Sequence, residues 1–177
     1  MKNLNLIKHI HTSVSFESER LKTSILYEDD IEALFQMYSD HEAMKYRGSQ
    51  PMTSISEAHT MVANPISEKG SISKLRLGIR TQSSNILIGT LLLSYNYDLE
   101  NQLEIGFSFG KKFWNQGYGT ETLQMVISQL QTLKQMKELK AWCIKENLAS
   151  IRIFENAGFS KMAQNEYPQS HLFVKQL

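Results

Sequence analysis

The chain has 177 residues, 41% hydrophobic and 21% charged, with a formal net charge of +1. That length suffices for one domain that buries roughly 70% of its unfolded surface, and the even charge gives no electrostatic basis for a nucleic-acid partner or an acidic membrane. A single cysteine, Cys143, excludes an intrachain disulfide; no Cys/His spacing reads as a metal site and no apolar run has the length of a membrane span, so a cytoplasmic protein without metal is expected.

Residues 1–17 carry no clear period, and an arm, a short helix and disorder all stay open; Leu4, Leu6, Ile7 and Ile10 are broken by Asn5, Lys8 and His9, unlike a secretory leader. We treat 1–17 as an N-terminal arm and 18–177 as a single domain. Leu21–Leu26 reads as a strand. Asp29-Asp30-Ile31-Glu32 starts a helix with a carboxylate at its cap, and Ile31, Leu34, Phe35 and Tyr38 form its apolar stripe. Ser54-Ile55-Ser56-Glu57 is a capping box for a second helix, ended by Pro65. The period then changes from helical to alternating. Leu75–Arg80, Ile86–Tyr95 and Leu103–Phe109 read as strands, joined at Gln82–Asn85 and Asp98–Asn101. A helix from about 120 to 134 carries Leu123, Val126, Ile127, Leu130 and Leu133. It is followed by a strand at Leu139–Ile144 and a short helix at about 148–157. Gly158 is placed to end that helix in a left-handed cap, with Phe159 folding back on Phe154. Lys161–Tyr167 and His171–Gln176 can make two final strands. Strand–helix alternation in this second half requires a partly parallel sheet.

Between the third of the central strands and the long helix lies Trp114-Asn115-Gln116-Gly117-Tyr118-Gly119-Thr120-Glu121. A glycine-bearing loop at a helix N-terminus presents unpaired N–H groups and the positive end of the helix dipole, which suits a phosphate. No Gly-Lys-Ser/Thr follows, so it is not a P-loop. Thr122 stands where a dinucleotide fingerprint needs its third glycine. The loop alone is equally compatible with a tight turn that binds nothing. Lys111 and Lys112 sit beside it and add to anion attraction, whereas Lys134, Lys137 and Lys140 read as a solvated face.

The segment Asn147-Leu148-Ala149-Ser150-Ile151-Arg152-Ile153-Phe154-Glu155-Asn156-Ala157-Gly158-Phe159 resembles the N-x-x-S-x-x-V/L-x-E-x-x-G-F signature of the GNAT acetyltransferase superfamily. Gly117 and Gly119 match that family's (Q/R)-x-x-G-x-(G/A) loop. Trp114 replaces the Gln or Arg, as in the ribosomal-protein-alanine/serine N-acetyltransferase branch, whose loop reads W-G-x-G-Y-A-T-E; Asn115 and Gly119 replace that branch's Gly and Ala. Glu19-Arg20-Leu21, Glu28-Asp29-Asp30 and Glu104-Ile105-Gly106-Phe107 also match this branch, so the resemblance spans about residues 18–170. It implies an α+β fold: a central mixed, mostly antiparallel twisted sheet of about six or seven strands, about four flanking helices, and a splayed parallel strand pair at the coenzyme site. It implies acetyl-CoA as cofactor, its pyrophosphate held by Trp114, Asn115, Gln116, Gly117, Tyr118, Gly119 and Thr120. The strand backbone at Phe107 and Phe109, with Asn147, Ser150 and Phe154, would hold the pantetheine arm.

Acetyl transfer to an amine needs a polarised thioester carbonyl, a neutral amine and a protonated leaving thiolate. Glu104 shares its strand face with the small residues Gly106 and Ser108 and is the leading base; a solvated strand residue is the competing reading. Asn147 reads as a helix N-cap that accepts from the Ser150 N–H. The resemblance adds that Ser150 reaches the thiolate. Where many relatives carry a Tyr acid, this chain has Phe154, which cannot donate a proton, leaving Ser150 or water for that role. Glu121 and Glu155 read as structural, Cys143 as a buried inert thiol, His171 as the alternative base, and Tyr38, Met44 and Tyr46 as packing near the acceptor side. Three functions follow: acetylation of a protein or peptide α-amine, acetylation of a small amine such as a polyamine, amino acid or aminoglycoside, or acyl-CoA binding without turnover. The sequence is silent on oligomeric state, a homodimer included.

Overall fold

The computed structural model describes residues 6–13, 15–99, 101–133, 136–163 and 167–177. Its centre is built by segments of period two, in which alternate side chains face opposite sides of the pleat. Strands β1 (Leu21–Ser24), β2 (Ile66–Lys69), β3 (Ile72–Thr81), β4 (Leu87–Asn96), β5 (Gln102–Phe109), β6 (Glu138–Ile144), β7 (Ser160–Lys161) and β8 (Ser170–Gln176) form one sheet. Its order is β1-β3-β4-β5-β6-β8-β7, with β2 also on β3. Only β5 and β6 run parallel; β1, β2 and β4 meet their neighbours antiparallel, as do β7 and β8. Helices are α1 (Leu6–Ser13), α2 (Ile31–Ser39), α3 (His41–Met44), α4 (Ile55–Ala63), α5 (Tyr118–Thr132) and α6 (Leu148–Asn156). This is the expected mixed, mostly antiparallel architecture. The short β2, α1 and α3 carry the described elements to eight strands and six helices; β2 and α3, four residues each, hold only one and two apolar residues, too few to show a period. Lys134, at the end of the expected long helix, and residues 164–166 of the expected strand 161–167 lie outside the described residues, as does Glu100 of the expected turn.

One face of the sheet carries the main core. Leu75, Leu77 and Ile79 of β3, Leu91 and Leu93 of β4, and Leu103 and Ile105 of β5 pack with Leu123, Val126 and Leu130 of α5 and Phe154 of α6. Leu6, Ile7 and Ile10 of α1 are buried in the same cluster, so of the structures open to residues 1–17, those described at 6–13 form a short helix. Each fully buried Leu or Ile contributes about 1.5–3 kcal/mol. On the other face Ile31, Leu34 and Tyr38 of α2, Ala58 of α4, Met44 and Met52 close over Leu26 and Leu87.

The expected capping box at Ser54 and Glu57 is present at α4. At α2 the outcome differs: residues 28–30 form a 3-10 turn, and Asp30 gives α2 no side-chain cap. Its carboxylate instead accepts from the Tyr27 N–H at 2.7 Å and from the Arg80 guanidinium, and this ion pair is buried on both sides. No described helix is long and apolar enough to cross a membrane.

Candidate functional site

The parallel pairing of β5 and β6 is short. It covers Gln102 with Glu138, Leu103 with Leu139 and Glu104 with Lys140, and then stops. Beyond it β5 stays with β4 as far as Phe109, while β6 stays with β8 as far as Ile144. The two strands therefore diverge, and their facing edges have no partner strand among the described residues. Backbone N–H and C=O groups left this way need another partner, and an extended, amide-bearing ligand supplies one. A cavity of about 610 Å³ fills the wedge, lined by Glu104, Ile105, Gly106 and Phe107 of β5 and by Trp142, Cys143 and Ile144 of β6. Asn147, Ser150 and Phe154 close its helix side. Glu104 stands at the apex, at the last paired position.

Of the residues read from the sequence, Glu104, Phe107, Asn147, Ser150 and Phe154 thus surround one cavity. Asn147 caps α6, accepting from the Ser150 N–H at 3.1 Å. This sets the Ser150 hydroxyl on the first turn, next to Cys143. Burial pushes the Cys143 thiol up to about 11, against a lowering contribution from its hydrogen bond with Ser150. A thiol so shifted stays protonated near neutrality and is a poor nucleophile. Phe154 is 4% exposed and packs on Phe107, Phe159 and Phe173 with ring centroids 5.8, 5.3 and 5.6 Å apart. It fills the cavity floor with apolar surface. Gly158 takes φ +78, and the Phe159 N–H returns to the Phe154 carbonyl at 3.0 Å, the expected cap.

The loop residues lie outside that cavity's wall and form a second, backbone-built region at the α5 N-terminus. Asn115 and Gly117 adopt left-handed conformations, φ 59 and φ 79, the kind of backbone that gathers neighbouring N–H groups into an anion-binding concavity. The Trp114 indole N–H donates to the Phe109 carbonyl at 2.9 Å, and the Gln116 amide to the Lys112 carbonyl at 2.9 Å. Thr120 lies in the first turn of α5, whose N-terminal N–H groups the loop exposes. Gly119 joins the two regions: a Cβ there would stand 2.8 Å from Ile153 Cδ1 and 3.4 Å from Phe107 Cε2. Its lack of a side chain lets α5 sit against α6 and β5.

Glu121 clamps this loop to the start of β1. Its carboxylate accepts from the Ser18 hydroxyl at 2.8 Å, the Arg20 N–H at 3.0 Å and the Arg20 Nε at 2.7 Å. Arg20 also donates to the Gln116 carbonyl and covers the Tyr118 ring. Burial raises the Glu121 pKa, but the hydrogen bonds from Ser18 and Arg20 outweigh it, and the carboxyl ends below the usual range. Such a clamp needs residues a hundred positions apart, which no local motif announces.

The acceptor side was the least legible. Tyr46, Gly48, Lys74, Ser94, Trp142 and Tyr167 line the cavity, and they come from five separate segments. Lys74, Ser94 and Glu104 form one row across β3, β4 and β5. Ser108, expected beside Glu104 as open space, is instead covered by a hydrogen bond from Arg47. His171 pairs in register with Cys143 but is not part of the cavity lining. Burial first, then Lys161 and Lys145, lowers its pKa. No group of metal-binding side chains occurs among the described residues.

The sequence model of a family described as the acetyltransferase (GNAT) domain matches residues 20–160. The chain is similar to the uncharacterized N-acetyltransferase p20 of Bacillus licheniformis, 28% identical over 146 residues, 81% of each protein. A GNAT-family acetyltransferase from Bacillus anthracis matches in structure with a TM-score of 0.76 at 21% identity, over 92% of this chain and 98% of that one. The spermidine N-acetyltransferase of Vibrio cholerae, solved with CoA and spermine, gives 0.72 at 13%, over 90% and 96%. RimL, a ribosomal L7/L12 α-N-protein acetyltransferase solved with coenzyme A, gives 0.71 at 19%, over 93% and 98%. At these identities the solved structures speak for the fold alone.

Proposed function

The chain belongs to the GNAT acetyltransferase family, and from that premise we propose that it transfers the acetyl group of acetyl-CoA to the α-amine of a protein or peptide, directly within a ternary complex. The observation that carries this reading is the wedge between β5 and β6, with Glu104 at its apex and a glycine loop at the adjoining helix N-terminus. The residues present fit the cofactor. Gly117 and Asn115 give the loop the kind of backbone that gathers N–H groups for an anion, the unpaired edges of β5 and β6 offer strand-like pairing to amides, and Phe107 and Phe154 give an apolar floor.

Acetyl-CoA supplies the acyl group as a thioester. Glu104, directly or through a water, takes a proton from the attacking amine as the N–C bond forms. The C–S bond breaks, and the Ser150 hydroxyl, or a water it orients, returns a proton to the leaving sulfur. Phe154 takes no part in proton transfer. An α-amine suits so sparsely equipped a site: its pKa is about 7.7–8.0 against about 10.4 for lysine, so more of it is neutral at pH 7. Lys74 in the cavity wall also argues against a polyamine, whose charges it would repel.

Release of free thiol from acetyl-CoA tests the reading. Peptides with a free N-terminal Ser or Ala should turn over faster than the same peptides with a blocked N-terminus and an internal Lys. A preference for the blocked Lys peptides, or turnover with polyamines or aminoglycosides alone, would refute it.

A further inference from the structure

Two arginines on the acceptor side have no anionic partner among the described residues. Arg47 donates from Nη2 to the Tyr38 hydroxyl at 3.0 Å and from Nη1 to Ser108 Oγ; Arg76 donates from Nη1 to the same Tyr38 hydroxyl at 2.8 Å. Tyr38 is 4% exposed, and its hydroxyl also meets Thr90 Oγ1 at 2.6 Å. The ion pairs among the described residues engage Arg20, Arg80, Lys111 and Lys140, so neither Arg47 nor Arg76 has a carboxylate there within ion-pair distance. Two guanidiniums thus converge on one neutral, buried oxygen. Burial would raise the Tyr38 phenol, yet Arg76 and Arg47 together hold it below its usual value, which marks a positive field at that oxygen. Paired like charges in a half-buried place are unfavourable unless something negative joins them.

Neither arginine lines the cavity itself, but both flank residues that do. Arg47 lies between Tyr46 and Gly48, which both line it. Arg76 is two residues from Lys74 on the same strand face, and its row across the sheet runs through Leu92 to Gly106, another lining residue. At Gly106 a Cβ would meet nothing nearer than Leu92 Cβ at 4.0 Å, so that side of the wall is open. Each guanidinium has five N–H donors; Arg47 spends two and Arg76 one on the hydrogen bonds above, leaving enough for a bidentate carboxylate.

We propose that the acceptor carries a carboxylate that Arg47 and Arg76 bind, with Lys74 adding charge, while its amine faces Glu104; this rests on the function proposed above and names the substrate class. Spacing specifies the class further. The guanidiniums meet at the Tyr38 hydroxyl beside Thr90 and Ser108, and Ser108 is four residues along β5 from Glu104, roughly 13 Å between Cα atoms. The amine and carboxylate of a free α-amino acid are too close together to reach both groups. A peptide advances about 3.3–3.6 Å per residue, so an Asp or Glu at its second or third position spans the gap. The acceptor is an acidic N-terminus.

The test compares binding first and turnover second. Calorimetry on the protein saturated with CoA uses the product peptides N-acetyl-Ala-Glu-Ala-amide and N-acetyl-Ala-Gln-Ala-amide. A charge-assisted pair should make the Glu peptide bind roughly tenfold or more tightly, and added salt should narrow the gap. Arg47→Gln and Arg76→Gln should each remove most of the difference, and Arg76→Lys should keep part of it; CoA affinity in each variant reports that it is folded. Equal binding of the two peptides by the wild-type protein overturns the proposal without reference to any variant, as does a preference that survives both Gln substitutions. The unblocked peptides are then assayed for thiol release. Acid preference without acetylation of any amine would remove the acetyl-transfer reading and leave the anion site standing. Acetylation of both peptides at equal rates, with equal binding, would do the reverse.

Discussion

The loop proposed to hold the cofactor and the proposed acceptor side differ in where their polar atoms come from. At Trp114–Tyr118 the groups proposed to meet a ligand are backbone N–H groups, in a turn shaped by two left-handed residues, Asn115 and Gly117. On the proposed acceptor side they are the side chains of Glu104 and Lys74, with Arg47 and Arg76 beside them, brought together by the register of β3, β4 and β5 and by the loop after α3. A backbone site tolerates almost any side chain except one that fills its space or strains its turn. A side-chain site depends on each residue separately and on the packing that delivers it. Substitutions should therefore act on cofactor affinity and folding at the loop, and on acceptor binding and turnover on the acceptor side.

The largest expected effect is at the apex of the wedge. Glu104→Gln keeps the shape and removes the base, so kcat should fall by about 10²–10⁴. Calorimetric acetyl-CoA affinity should hardly move, because the groups proposed to hold it are elsewhere. An unchanged kcat would take Glu104 out of the mechanism; a lost affinity would erase the contrast between the two regions.

Gly119 is where shape matters most on the loop side. Gly119→Ala puts a methyl 2.8 Å from Ile153 Cδ1 and 3.4 Å from Phe107 Cε2, against apolar side-chain atoms. Overpacking of this kind costs about 1–3 kcal/mol, read as a lowered denaturation midpoint. A variant as stable as wild type would show that α6 yields easily, and that the glycine serves the ligand rather than the packing.

Gln116→Glu is a gentler probe of the same loop. It adds one negative charge beside the proposed phosphate position with little change of shape. Acetyl-CoA should bind about tenfold more weakly, the loss shrinking as salt is raised. Affinity that stays the same, or a loss that ignores salt, would move the pyrophosphate away from Gln116.

The smallest effect is expected from the Glu121 clamp. Its folded pKa lies below the unfolded one, so its stabilisation is complete above the ordinary glutamate value of about 4.3 and is lost as pH falls through the folded value. Thermal melting between pH 6 and pH 3, as round settings of the experiment, should show a steeper acid limb in wild type than in Glu121→Gln. The difference is modest because Arg20 is half exposed to solvent. Parallel limbs would mean the clamp holds no charge-dependent stability.

Legibility in the sequence followed the same division. The strands of the sheet were readable because alternation is local, and one strand face buries Leu75, Leu77 and Ile79 together. The capping box at Ser54, the Asn147 cap and the Gly158 turn were readable because a cap is a few residues long. Asp30 misled: its carboxylate is drawn away from α2 by Arg80, fifty residues on, and a buried cation outweighs a helix end as a partner for it. The α1 helix was not distinguished from an arm, since a helix of eight residues is held by the core it enters rather than by its own propensity.

By itself, then, the sequence determined the period of each main element, the glycine loop, the Asn147–Ser150 turn and, through them, the family. These are all local, set by steric freedom at a glycine or by hydrogen bonds spanning three or four residues. Only the tertiary structure decided how far β5 and β6 stay paired, and so where the wedge opens. It alone brought Arg20 to Glu121, and Arg47 and Arg76 to one tyrosine hydroxyl. Those meetings depend on sheet register and on the packing of helices over it, where the free energy belongs to contacts between residues far apart in the chain, and no short stretch of sequence records them.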